Sequence, residues 1–107
     1  MRTKRYVLLI VTIAILFAIE GCNKTNTDIG SLYTPTSADV TANATLQELQ
    51  QGRTLYINNC GICHGLYSPD SYTPTQWKSI LSNMVPRTNM TSSQTQLVTK
   101  YVCRGKQ

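Results

Sequence analysis

Cys60-Gly61-Ile62-Cys63-His64 places two thiols three residues apart with an imidazole directly behind the second. This layout anchors c-type haem, because each thiol can add across one vinyl group and the imidazole is then held beneath the iron as an axial ligand. A redox dithiol of the thioredoxin type needs a βαβ surround, which the sequence does not offer. A structural zinc site needs two more well-spaced ligands. The only other thiols are Cys22 and Cys103, and His64 is the only histidine. A disulfide is the remaining use of the pair.

Covalent haem leaves one axial position to fill, and the choice separates electron transfer from small-molecule chemistry. A thioether closes the iron and raises its potential, which suits an outer-sphere carrier. With Met1 lost in processing, Met84 and Met90 are the candidates. Met84 ends an apolar helical face led by Trp77 and is preferred. Met90 stands just before the last helix, where an apolar residue can staple the first turns. Core packing is the alternative use of either side chain.

The chain has 107 residues and a formal net charge of +5, which bounds it to one small domain behind an export signal. Arg2, Lys4 and Arg5 form a basic start, and Tyr6 to Ile19 then runs 14 residues without a charge. A helix of that length reaches about 21 Å, against roughly 30 Å for a hydrocarbon core, so the segment reads as a secretory leader and not as a span. Ile19-Glu20-Gly21-Cys22 resembles a bacterial lipobox, with Glu20 where a small neutral residue is usual. The resemblance implies residues 1–21 as a lipoprotein signal peptide and lipidation at Cys22; an incidental thiol beside an ordinary cleavage site is the alternative. Loss of Arg2, Lys4, Arg5 and Glu20 would lower the charge from +5 to +3. Residues 22–44 are rich in Thr, Ser and Asn and read as a tether, with Leu32, Tyr33 and Val40 as apolar exceptions able to pack back on the domain. Cys103 is then the odd thiol: a small buried hydrophobe on the last helix, or a site of intermolecular pairing.

Residues 45–107 form the predicted haem domain. Thr45-Leu46-Gln47-Glu48 has the form of a capping box, and the helix behind it carries Leu46, Leu49, Arg53, Tyr56 and Ile57 toward Cys60. Gly52 breaks that stripe at a cost of roughly 1 kcal/mol relative to alanine, which marks a place where another element comes close. Thr73-Pro74-Thr75-Gln76 starts a second helix with Trp77, Ile80, Leu81 and Met84 on one face, ended by Pro86. Thr91-Ser92-Ser93-Gln94 starts a third, with Leu97, Val98, Tyr101 and Val102 on one side and Lys100 and Arg104 in its last turns. No alternating run argues for a sheet. The fold class is all-α, three to four short helices around a covalent haem that supplies apolar bulk to a core too small to be secure alone.

These features together resemble the class I c-type cytochromes over about Leu46 to Tyr101. The resemblance is carried by Gly52 and Tyr56 on the first helix, the Cys60 to His64 motif, Met84, and Leu97 and Tyr101 on the last helix. In that family a glycine and an aromatic of the first helix pack against an aromatic of the last. Its methionine ligand precedes that aromatic at a spacing that Met84, 17 residues before Tyr101, matches better than Met90, 11 before it. The resemblance implies one haem c, covalent at Cys60 and Cys63, its iron bound by His64 and Met84. It implies one-electron transfer in a bacterial respiratory or other periplasmic redox chain, with no bond-making by the protein and so no enzyme. The partners are an electron donor and acceptor, steered by Lys78, Arg87, Lys100, Arg104 and Lys106 if these are not merely solvated, together with a membrane reached through Cys22. No nucleic acid is implied, and the location is the cell envelope. Other readings are a haem sensor or peroxidase-like domain with an open sixth position, and a haem-bearing structural subunit of a larger membrane complex.

Overall fold

The computed structural model describes residues 29–107; the leader at 1–21 and Cys22 lie outside the described residues. Three α-helices make the fold: α1 (Leu46–Cys60), α2 (Pro74–Met84) and α3 (Ser92–Val102), with single 3-10 turns between and before them. Each helix opens on a threonine whose hydroxyl accepts from the backbone N–H three residues on, while the Glu or Gln there accepts from the threonine's own N–H. Two of the four unpaired donors at each start are thereby satisfied. α2 ends at Met84, as Pro86 leads one to expect, and Pro86 itself sits in the 3-10 turn Val85–Arg87 that follows. Among the described residues no helix is long and apolar enough to cross a membrane.

α1 and α3 pack most extensively. Gly52 is the contact: a Cβ there would run into the Leu97 carbonyl oxygen and the Tyr101 Cβ. The missing side chain lets the backbones approach, and the Tyr56 and Tyr101 rings meet beside it, 5.7 Å apart. α2 closes the core from the other side with Trp77 and Leu81, both buried, while Ile80 and Met84 are half-buried on the same face.

The packed unit begins ahead of Thr45. Leu32 and Ala44 are buried, and the Tyr33 ring stacks on Tyr101 at 5.6 Å. The Tyr33 carbonyl accepts from the Tyr101 hydroxyl at 2.8 Å and from Arg53 Nε at 3.2 Å, and the second Arg53 nitrogen reaches the Ile29 carbonyl at 3.3 Å. So Arg53, on the apolar stripe of α1, pins the preceding segment as a strap. Val40 stays exposed. At the other end the chain leaves α3 through Arg104 and Gly105, both left-handed with φ of 51° and 66°. Gly105 donates to the Lys100 carbonyl at 2.8 Å, and its own carbonyl accepts from the Thr41 hydroxyl at 3.0 Å. Arg104, strained by roughly 1 kcal/mol in that region, is held by its ion pair with Asp70 and by the Tyr33 ring beneath its guanidinium at 3.8 Å.

Lys100 bonds Glu48 at 2.6 Å, tying the last turns of α3 to the first turn of α1. That bond, helped by the Thr45 N–H, holds the Glu48 carboxyl below the usual carboxylate range. A depressed native pKa gives stability that is complete above the unfolded value, about 4.3, and is lost as pH falls through the native one. Thermal melts by circular dichroism should therefore show the melting temperature falling on acidification below about pH 4, and falling less steeply in Glu48→Gln.

Candidate haem-binding site

α1 delivers the motif. Cys60 is its last residue and Gly61 its C-cap in ordinary right-handed conformation, so Gly61, Ile62 and Cys63 form the turn that follows and His64 ends it. Tyr56, one turn back on the same helix, then clamps the returning chain: its hydroxyl donates to the Tyr67 carbonyl at 2.8 Å and accepts the Tyr67 N–H at 3.2 Å. Trp77 holds the next stretch through its indole N–H, 2.8 Å from the Pro69 carbonyl. The two helices thus fix both ends of the loop that carries the thiols and the imidazole.

Cys60 is half-buried and packs on the core, while Cys63 and His64 are exposed, and no disulfide joins the two cysteines. His64 Nδ1 lies 2.7 Å from the Gly65 carbonyl. A carbonyl only accepts, so Nδ1 carries the proton and Nε2 keeps its lone pair for a metal, the orientation that ligating imidazoles adopt. The ring also meets Tyr67 at 5.8 Å.

An open groove of about 440 Å³ runs along this loop, lined by Ile57, Ile62, His64 and Leu66 and, from the strap, Ile29. Of the four large apolar side chains left exposed among the described residues, Ile29, Ile62 and Tyr67 surround the motif, Ile62 at 78 % exposure. An exposed apolar patch about a groove marks a place for an apolar ligand or partner. The donor types, two thiols and one imidazole with its distal nitrogen unspent, are those that haem c takes; of them His64 lines the groove, and the two thiols do not.

The competing uses fit less well. Burial pushes the Cys60 thiol above its ordinary pKa, and the residue stands at the C-terminal end of α1, where the helix dipole disfavours a thiolate. A redox dithiol needs the opposite. Among the described residues no three His, Cys, Asp or Glu side chains gather as a metal-binding set, which leaves zinc without its further ligands.

The two methionines part company. Met90 is half-buried and packs against the core. Met84 is half-buried at the last position of α2, on the Trp77 face. Cys103 is a buried thiol, 3 % exposed, facing the Pro74 carbonyl at 3.8 Å, and burial raises its pKa. Of the five cations able to steer a partner, Lys100 and Arg104 are engaged with Glu48 and Asp70, while Lys78, Arg87 and Lys106 are exposed. Ile29, part of the groove, carries no local signal in the sequence; the docking of the strap, with Arg53 gripping the Ile29 carbonyl, brings it there. No protein-family model, characterised protein or solved structure shows significant similarity to the chain.

Proposed function

We propose that the protein is a c-type haem protein that carries single electrons, with thioether links at Cys60 and Cys63 and iron bound by His64 and Met84. The observation that carries the reading is His64: its Nδ1 is tied to the Gly65 carbonyl, and the residue lines an apolar groove. The packing of Gly52 and Tyr56 against Tyr101 matches the helix contact implied by the likeness to class I c-type cytochromes.

Bound haem supplies a reversible Fe(II)/Fe(III) couple. The chain's residues set how that couple is used. The Gly65 carbonyl, drawing on the Nδ1 proton, makes His64 a better donor and lowers the cost of the oxidised state. Ile57, Leu66 and Ile29 would lay apolar surface against one side of the bound group, which favours the form of lower charge. A thioether from Met84 would close the site to small ligands and raise the potential. No bond is made or broken in turnover, so the protein's task is to hold geometry while an acidic redox partner docks near Lys78, Arg87 and Lys106. The lipid anchor at Cys22 would keep this exchange at the outer side of a bacterial membrane.

Optical and magnetic spectra of the matured protein, expressed where haem is attached to CxxCH motifs, test the reading. A low-spin spectrum with a sulfur–iron charge-transfer band is expected, and Met84→Ala should lose the band and bind carbon monoxide when reduced. Persistence of the band in that variant would move the ligand to Met90. A high-spin wild type would favour the sensor or peroxidase-like reading.

A further inference from the structure

Every tyrosine, tryptophan and histidine among the described residues stands in one unbroken line of rings. From the motif outward, centroids are 5.8 Å apart for His64 and Tyr67, 5.6 Å for Tyr67 and Tyr72, and 5.2 Å for Tyr72 and Trp77. The line continues at 6.1 Å from Trp77 to Tyr56, 5.7 Å from Tyr56 to Tyr101, and 5.6 Å from Tyr101 to Tyr33. Six short steps thus join the exposed imidazole to the strap beneath Arg104.

Composition gives this line a chemical character. The chain's single phenylalanine is Phe17, in the leader, so the domain builds its aromatic core only from rings that bear an O–H or N–H and can surrender an electron. Phenylalanine would pack as well without a polar group to satisfy. Instead Tyr56, Tyr101 and Trp77 each spend a buried donor on a backbone carbonyl, those of Tyr67, Tyr33 and Pro69. The Tyr33 hydroxyl is different: it is buried with no hydrogen-bond partner, and a carboxylate whose charge bears on it is that of Asp39, which also accepts from the Thr36 N–H and hydroxyl. A carbonyl is too weak a base to take a phenol's proton as its electron leaves. A carboxylate is a stronger one.

We propose that the line is a relay that drains oxidising equivalents from the His64 site to Tyr33. A one-electron oxidant at the site draws an electron from Tyr67, and the vacancy passes ring to ring until it rests on Tyr33. There the phenolic O–H bond breaks: the electron enters the line and the proton goes to Asp39, which is partly exposed and returns it to water. In sum the oxidant gains one electron, Tyr33 becomes a neutral phenoxyl radical, and one proton is released. A soluble one-electron reductant of the thiol or enediol class restores the phenol. The relay is a property of the rings alone; its use by a haem rests on the reading above.

The test uses the full chain without haem, its helix content and cooperative melt verified by circular dichroism, accessible thiols alkylated, with a ruthenium(II) polypyridyl complex coordinated at His64, the sole histidine. A flash with a sacrificial cobalt(III) acceptor creates the ruthenium(III) oxidant, and transient absorption and electron paramagnetic resonance follow the radical. The expected end point is a phenoxyl signal that disappears in Tyr33→Phe. Tyr101→Phe, which keeps the ring and removes one hydrogen bond, should lower the yield of that signal at least tenfold, and Asp39→Asn should slow its appearance. If Tyr101→Phe fails to fold by circular dichroism, Tyr56→Phe cuts the line one step earlier. An unchanged spectrum in Tyr33→Phe, or a Tyr33 signal undiminished by the cut, overturns the relay. A matured chain without a haem spectrum overturns the functional reading and leaves the relay result standing.

Discussion

Gly52→Ala should lose roughly 3 kcal/mol of stability, lying at the upper end of overpacking costs, although the substitution by itself favours helix by about 1 kcal/mol. The opposing term is steric. The added methyl would sit inside contact distance of the Leu97 carbonyl oxygen and carbon and of the Tyr101 Cβ, none of which can swing away as a long side chain could. Backbones must separate, and the interface that opens is the one between α1 and α3, with Val98 and Tyr101 fully buried in the core. For a domain of this size each kcal/mol moves the melting temperature by about 4–8 °C, so a fall of about 15 °C or more is expected in a thermal melt. Gly61→Ala provides the comparison. Its backbone is right-handed and its Cβ would approach nothing closer than 3.2 Å, so the same methyl should shift the melt by a few degrees at most. A melting temperature for Gly52→Ala equal to or above wild type would overturn this account of the helix contact.

That contact was readable as a question before its answer was known. Glycine in an otherwise helical stripe is costly and invites a reason, but the sequence does not say which element comes near. Helix starts were legible outright, because the capping box is a local pattern of a hydroxyl and an acceptor three residues apart, and Thr45, Thr73 and Thr91 each realise it with both reciprocal bonds. The strap was only hinted at by Leu32 and Tyr33. Its docking depends on bonds such as Tyr101 to Tyr33 and Thr41 to Gly105, made across 68 and 64 residues, which leave no periodic trace. Arg53 illustrates the difficulty: it falls on the apolar stripe of α1 yet uses its guanidinium to hold two strap carbonyls. For the site the ligand types were legible and their setting was not. Cys60, Cys63 and His64 announce themselves by spacing, whereas the contribution of Ile29 to the groove and the clamping of Tyr67 by Tyr56 follow from packing between distant segments. The ring line is similarly invisible, since its members lie at irregular intervals and meet only once the three helices have closed.

The largest functional effect expected is in the double variant Cys60→Ala/Cys63→Ala, which should carry no covalent haem at all after expression in a host that attaches it. The measurement is haem retained through acid–acetone extraction and on a denaturing gel, where only thioether-linked haem survives; the single variants should retain at most one link and stain weakly. Stability alone could mimic such a loss, because Cys60 also packs on the core. Cys103→Ala separates the two causes. That thiol is buried more deeply, at 3 % exposure, so its truncation leaves a cavity and should cost about 1–2 kcal/mol. It lies outside the motif, and its variant should keep full staining in the fraction that folds. Cys63 is exposed, so Cys63→Ala should leave the melt of the haem-free chain nearly unchanged while removing one attachment point. Equal staining of wild type and the double variant would show that any haem is held without thioethers. A wild type that never stains, in a host that matures other CxxCH chains, would sink the haem reading and turn attention to the groove of Ile29, Ile57 and Ile62 as the site of a different apolar partner.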